Sequence, residues 1–324
     1  MADNLTQLIP KWTTDFEFCE LFGGIKLTTF REYWSDLTLF SQFLHDHQYP
    51  CQLPIAPEHV KKWLEACVDA GIRPNTIKRR KTAISFIHEI NEFHIENPAY
   101  HPLLRGFYKK VKQVRSKKGL SNRLLQKEPL TKDLLKKLVR QCSKKTLTGL
   151  RNRALLLVGF PAALRRSELC NLQWPDVKIE DDHSEMTLII QHSKTDTLSE
   201  GKPLTISKGI PNYCPIQALL DWQHASGLTT GYIFRNLYKL NDNKPINPQA
   251  YVKLIKKCCE KAGLDPALYS GHSTRRGMLV TASDNGSDIH ILRAHARHQN
   301  SQMTEHYIGD AISKRNNPTK GLFR

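Results

Sequence analysis

A chain of 324 residues has room for about two domains, each burying its own core. Its formal charge of +17 with a pI near 9.5 is costly in self-repulsion unless a polyanion relieves it, which makes nucleic acid the natural partner. Eight cysteines without a CxxC pair exclude a zinc spacing and a secreted disulfide framework. The lack of an N-terminal signal pattern or an eighteen-residue apolar run argues against export and membrane spanning, so a cytoplasmic, nucleoid-associated protein is expected.

In chain order, Phe30, Tyr33, Trp34, Leu37, Phe40 and Leu44 recur at three- and four-residue steps and predict a helix over 28–45. A second helix is predicted from Pro57 to Ala70 on the stripe Val60, Trp63, Leu64 and Cys67, with Gly71 as its stop. Pro74, Asn75 and Thr76 open a third, in which the basic cluster Lys78, Arg79, Arg80 and Lys81 precedes the apolar stripe Ala83, Phe86, Ile87 and Ile90. Such a helix end suits a phosphate backbone, although four charges alone also fit a solvated basic turn.

Between Arg105 and Lys127 stand nine basic residues, at 105, 109, 110, 112, 115, 117, 118, 123 and 127, with no acidic residue among them. Ser116, Gly119 and Ser121 interrupt any helix there, so a domain boundary is expected, with 1–118 as a helical unit, 119–128 as a basic linker and 129–324 as a second domain. Lys109, Lys110, Lys112, Arg115, Lys117 and Lys118 are candidate phosphate contacts, because each neutralised phosphate releases counterions. In the second domain Thr131 is placed to N-cap a helix carrying Leu134, Leu135, Leu138 and Val139. Helical patterning continues except between about Val177 and Ser207, where VKI, MTLIIQ and PLTIS read as three strands of an antiparallel meander.

Three separated clusters carry groups suited to phosphate chemistry. In Leu164-Arg165-Arg166-Ser167-Glu168, after a break at Pro161, Arg165 can present its planar fork to a phosphate. In Gly271-His272-Ser273-Thr274-Arg275, His272 and Arg275 are three apart and share a face if helical. Arg297-His298 is followed nine positions on by Tyr307. Each cluster alone also suits ordinary packing.

In this order, together with Lys194 between the second and third strands, the clusters resemble the tyrosine recombinase (phage integrase) family. That family's pattern is an arginine in an LRxxE setting, a lysine on a β-hairpin, HxxR, a His or Trp, and a tyrosine nine residues later. The resemblance covers roughly Leu130 to Gly309 closely and the preceding helices in pattern only. It implies an α+β, mainly helical fold: an N-terminal all-α core-binding (SAM-like) domain and a C-terminal catalytic domain with a small antiparallel sheet, the two clamping duplex DNA.

Carried over by position, the family makes Arg165 and Arg275 the clamp on the scissile phosphate and Lys194 the acid that protonates the leaving 5′ oxygen. His272 assists deprotonation, His298 hydrogen-bonds the phosphate, and Tyr307 is the nucleophile. The residue types agree: a phenol of ordinary pKa about 10 needs a base and a cationic pocket to attack, and two fixed guanidiniums suit charge on non-bridging oxygens. No metal or other cofactor is required. The family also implies a homotetramer on paired recombination sites, with accessory DNA-binding proteins in some systems, and makes residues 311–324 a candidate docking tail.

Two positions depart from the family pattern. Arg297 stands where glycine is usual and either crowds the site or adds a phosphate contact; Pro161 replaces a residue that is commonly small or polar. Taking His295 in place of His298 leaves twelve residues to Tyr307 and is the poorer match. A type IB topoisomerase, a hairpin-forming resolvase and a non-catalytic DNA-binding regulator are the rival readings, and a histidine metal centre built on residues 290, 295, 298 and 306 is a weaker one.

Overall fold

The computed structural model describes residue 25 and residues 27–117, 119, 127–191, 201–298, 304–305 and 308–309. The chain packs as two compact units, Met1–Leu124 and Leu125–Arg324.

The first unit is helical throughout its described residues. Helix α1, Leu27–Asp46, buries Phe30, Leu37, Phe40 and Leu44, the predicted stripe, with Tyr33 and Trp34 half-buried beside them. Helix α2, Pro57–Asp69, opens with proline in its first turn, where a missing N–H costs nothing, and buries Val60, Trp63, Leu64 and Cys67. It ends as expected at Gly71, whose φ of +73° is strained for a side chain with a Cβ. Helix α3, Pro74–Glu89, buries Ile77, Ala83, Ile84, Phe86 and Ile87 against α1 and α2.

The basic run after Arg105 does not begin as a connector. Phe107–Lys117 forms helix α4, because Phe107, Val111 and Arg115 repeat at four-residue steps and turn one face inward. Arg115 is buried with them and donates to the carbonyls of Gly71 (3.1 Å) and Ile72 (3.4 Å), closing the end of α2.

The second unit is built around helix α6, Leu147–Gly159, which is buried on nearly every side from Arg153 to Gly159. Around it lie α5 (Lys132–Arg140), α7 (Arg166–Cys170), α8 (Pro215–Ser226), α9 (Pro248–Lys261), α10 (Gly271–Asp284) and α11 (Ile289–Ala296). Strands β1 (Val177–Ile179), β2 (Glu185–Ile190) and β3 (Lys202–Ser207) form the predicted meander in the order β1-β2-β3. Val177 pairs with Leu188, and Leu188 with Leu204. Met186, Leu188 and Ile190 face the core at period two, with Leu204 and Ile206 beside them.

Thr131 stands at the N-cap of α5, but its side chain makes no cap hydrogen bond. Instead Lys132 N donates to Thr281 Oγ1 of α10 (3.1 Å), and Leu130 N donates to Ser273 O (2.8 Å). The start of the unit is thereby pinned along α10, which carries two of the predicted site residues. Gly277 permits this close approach, since a Cβ there would lie 1.8 Å from Leu130 O. Among the described residues no helix is long and apolar enough to cross a membrane.

Candidate active site

The site grows from the turn between α6 and α7. Pro161 has no N–H to continue the helix, and Ala163 takes a left-handed conformation, φ +46°, that is unusual for a residue with a Cβ. The turn aims three successive carbonyls at α10, α11 and the residue after α11. Pro161 O accepts from His295 Nε2 (2.7 Å), Ala162 O from Arg297 (3.4 Å), and Ala163 O from Arg275 Nη1 (2.7 Å) and Arg297 Nη2 (3.3 Å). Conformations of this kind persist only where surrounding contacts over-determine them.

Arg165 follows at the N-cap of α7, with Glu168 three residues on. The Glu168 carboxylate accepts from the backbone N of Arg165 (2.9 Å) and from its Nη1 (2.6 Å), so one side chain caps the helix and orients the arginine. Arg275, 3% exposed, lies with Nη1 3.9 Å from the same carboxylate and also donates to Ala296 O. Arg297 Nη2 reaches Glu168 Oε2 at 3.1 Å. Three arginines from three parts of the chain thus surround one buried carboxylate.

Burial pushes the Glu168 carboxyl up, but the charge of Arg297 and the hydrogen bonds from Arg165 outweigh it and hold the group below its usual range. His298 lies among the same cations and is 6% exposed. Desolvation, then the charges of Arg275, Arg165 and Arg297, push its pKa down to about 4, so the ring is neutral at pH 7. Its Nδ1 is 2.8 Å from Thr304 Oγ1.

Of the six predicted chemical residues, the structure brings Arg165, Arg275 and His298 together. His272 shares α10 with Arg275, but it is exposed at the first turn while Arg275 turns inward. Lys194 and Tyr307 lie outside the described residues, as do Lys118 and the tail 311–324. The residues flanking Tyr307 are anchored: Thr304 is buried against His298, and Ile308 packs with Leu279, Leu292 and Ala296. His295, the alternative to His298, is occupied by Pro161 O.

For Arg297, read from sequence as either crowding the site or adding a phosphate contact, the structure shows a partner within the protein. Its φ and ψ of 55° and 47° form the left-handed C-cap of α11, a conformation natural to the glycine expected there, and its side chain folds inward onto Glu168 and the 161–163 turn. The dihedral has no signature in the sequence; only the RxxE spacing points to Glu168.

The candidate DNA-facing cluster at 78–81 divides. Arg79 donates to buried Asp36 through Nε (2.8 Å) and pairs with Glu32 (3.2 Å). Arg80 lies over the Trp63 ring and bonds Cys67 Sγ (2.8 Å). These two hold α3 to α1 and α2, because buried Asp36 demands cations. Lys78, Lys109, Lys110, Lys112 and Lys117 are exposed and Lys81 half-buried, whereas Arg115 is internal.

The fold has solved counterparts. It superposes on the XerH site-specific recombinase bound to palindromic difH substrate in a post-cleavage complex, with a TM-score of 0.67 over 99% of this chain and 85% of that one at 13% identity. The Tn1549 transposon integrase in complex with transposon right end DNA gives 0.63 over 97% of this chain and 99% of that one at 16% identity. Residues 128–313 match the phage integrase family, and the chain belongs to that family, the tyrosine recombinases, enzymes of DNA strand breakage and rejoining. It is 30% identical over 284 residues to the integrase/recombinase xerD homolog of Selenomonas ruminantium, covering 86% of this chain and 81% of that protein. To the tyrosine recombinase XerA of Pyrococcus horikoshii it is 28% identical over 178 residues, 55% of each.

Proposed function

We propose that the chain cuts and rejoins duplex DNA at specific sites through a 3′-phosphotyrosine formed on Tyr307. The observation that carries this reading is the convergence of Arg165, Arg275 and neutral His298 around Glu168, with Thr304 and Ile308 fastening the chain on either side of Tyr307. Each guanidinium has five N–H donors in one plane, so bonds from some of them to protein acceptors set the plane that a phosphate meets. Charge developing on the non-bridging oxygens finds fixed donors, with Arg275 and His298 themselves buried.

In this mechanism Tyr307 Oη attacks the phosphorus in line and His272 assists loss of the phenolic proton. The bond to the 5′ oxygen breaks, and Lys194 supplies the proton that this oxygen takes up. His298 donates a hydrogen bond to the phosphate from its neutral ring. The phosphotyrosine keeps the energy of the phosphodiester, so a 5′ hydroxyl from another strand reverses the step without ATP and completes the exchange. Four protomers on paired sites would carry out the two exchanges, with accessory DNA-binding proteins in attendance, in the cytoplasm at the nucleoid.

The test uses a nicked duplex that releases the 5′ fragment after cleavage. Wild type accumulates a covalent protein–DNA adduct that resists denaturant and is lost on protease digestion, with or without EDTA, and Tyr307→Phe forms none while binding the same DNA. Equal behaviour of the two proteins would refute the reading.

A further inference from the structure

We propose that Arg297 is a positioning residue: it neutralises Glu168 and holds the 161–163 turn, and through these it keeps Arg165 and Arg275 oriented toward a phosphate. The inference rests on the recombinase reading above and extends it to a residue that would not touch DNA.

Glu168 has two oxygens and stands among three cations. Oε1 accepts from Arg165 Nη1 at 2.6 Å, while Oε2 accepts from the Arg165 backbone and from Arg297 at 3.1 Å, leaving Arg275 at 3.9 Å. A carboxylate deprived of Arg297 would draw the other two guanidiniums closer and take up donors that would otherwise face a phosphate. Removing Arg297 also takes one of three positive charges from around a single negative one, in a buried site where charges are weakly screened.

The same guanidinium has a second task. Arg297 donates to Ala162 O, Ala163 O and His295 O, so it ties the turn preceding Arg165 to the end of α11. Arg275 uses the same Ala163 carbonyl and also Ala296 O, the residue before Arg297. Both ends of the Arg275 fork therefore rest on groups that Arg297 holds in place. A residue with a Cβ in a left-handed conformation, its charged head buried on a carboxylate and backbone carbonyls, is not a solvated surface arginine that happens to replace glycine.

The experiment compares wild type with Arg297→Gly, which suits the left-handed backbone but lacks the guanidinium, and with Arg297→Lys, which keeps the charge but not the fork. Single-turnover cleavage of the nicked duplex, DNA affinity and thermal melting are measured on the full chain from pH 5 to 9. Arg297→Gly is expected to bind DNA within a few-fold of wild type and to cleave about a hundredfold more slowly, with partial recovery on adding methylguanidinium. Arg297→Lys is expected to fall between the two.

The acid limb of the rate profile should also move to higher pH in Arg297→Gly. Among the described residues the groups facing His298 include Arg275, Arg165, Arg297, Glu168 and the Thr304 hydroxyl, with Arg293 on its carbonyl, and loss of one cation makes protonation of the ring easier. Cleavage by Arg297→Gly at the wild-type rate would overturn the inference. So would a loss of rate that only follows a loss of folded protein, judged by melting and checked with Arg297→Asn, which also tolerates this backbone. If wild type itself forms no adduct, the recombinase reading falls and this inference with it; a normal wild-type adduct beside an unimpaired Arg297→Gly strikes Arg297 alone.

Discussion

Thr304 and the buried histidines set two expectations at the scale of single residues. Thr304 is fully buried, and its hydroxyl meets His298 Nδ1 three residues before Tyr307, so it links the imidazole proposed to face the phosphate to the segment of the proposed nucleophile. Thr304→Val keeps the shape and removes the hydrogen bond. Cleavage of the nicked duplex should slow roughly tenfold, a loss of about 1–1.5 kcal/mol, with unchanged DNA affinity; an unchanged rate would show that the bond orients nothing.

Burial lowers the pKa of His88, His295 and His298, the last to about 4 with help from its arginine neighbours. All three are neutral in the fold, so as pH falls through the ordinary value of about 6.5 the unfolded chain takes up protons first. Their stabilising contribution is fully present above about pH 7 and is lost progressively as pH falls toward each folded-state value, about 4 for His298. Melting temperature should hold steady from pH 8 to 7 and decline between 6.5 and 5, a window in which ordinary carboxylates scarcely titrate. A flat profile down to pH 5 would contradict it.

At the scale of elements, the placement of Arg275 depends on how α10 meets the start of the second unit. The helix and the segment at Leu130 approach so closely that only glycine fits at 277. Gly277→Ala must push apart two backbones that are also joined through Leu130 N and Ser273 O. Destabilisation of about 1–3 kcal/mol is expected from overpacking, read as a lower denaturation midpoint, together with slower cleavage because Arg275 moves with the helix. Helix α4 shows a different balance: Phe107, Val111 and Arg115 bury one face, while Lys109, Lys110, Lys112 and Lys117 remain exposed.

At the scale of the whole molecule, the charge of +17 is not one uniform surface. Arg79, Arg80, Arg115 and Arg297 spend their donors on partners within the protein, so among the described residues the cations available to a DNA backbone are chiefly exposed lysines. Replacing Lys109, Lys110, Lys112 and Lys117 together with alanine should reduce the slope of log affinity against log salt by up to about 3.6, at roughly 0.9 per phosphate contact. Arg115→Ala should lower stability and leave that slope nearly unchanged. Salt titrations of DNA binding distinguish the two, and a slope insensitive to the four lysines would remove α4 from the interface.

The helices at 27–46, 57–69 and 74–89 and the three-stranded meander were legible by sequence alone, because apolar period and glycine or proline punctuation are local properties of the chain. The order of Arg165, Lys194, His272, Arg275, His298 and Tyr307 was legible as a family pattern, since chemistry constrains residue types and their order. The use made of each arginine was not. Arg79 finds Asp36 across 43 residues and Arg115 finds Gly71 across 44, so a charge visible in the sequence has its role decided by distant partners.

Arg297 is the clearest case. Its side chain is the same in any reading, but whether it meets DNA or Glu168 depends on a left-handed dihedral at the end of α11 and on a turn more than a hundred residues earlier. Sequence by itself determined which charges and which reactive groups the protein possesses. Tertiary structure decided which of those charges are neutralised internally and which remain to face a phosphate, because burial makes an unpaired charge so costly that pairing is settled by whatever the fold brings near.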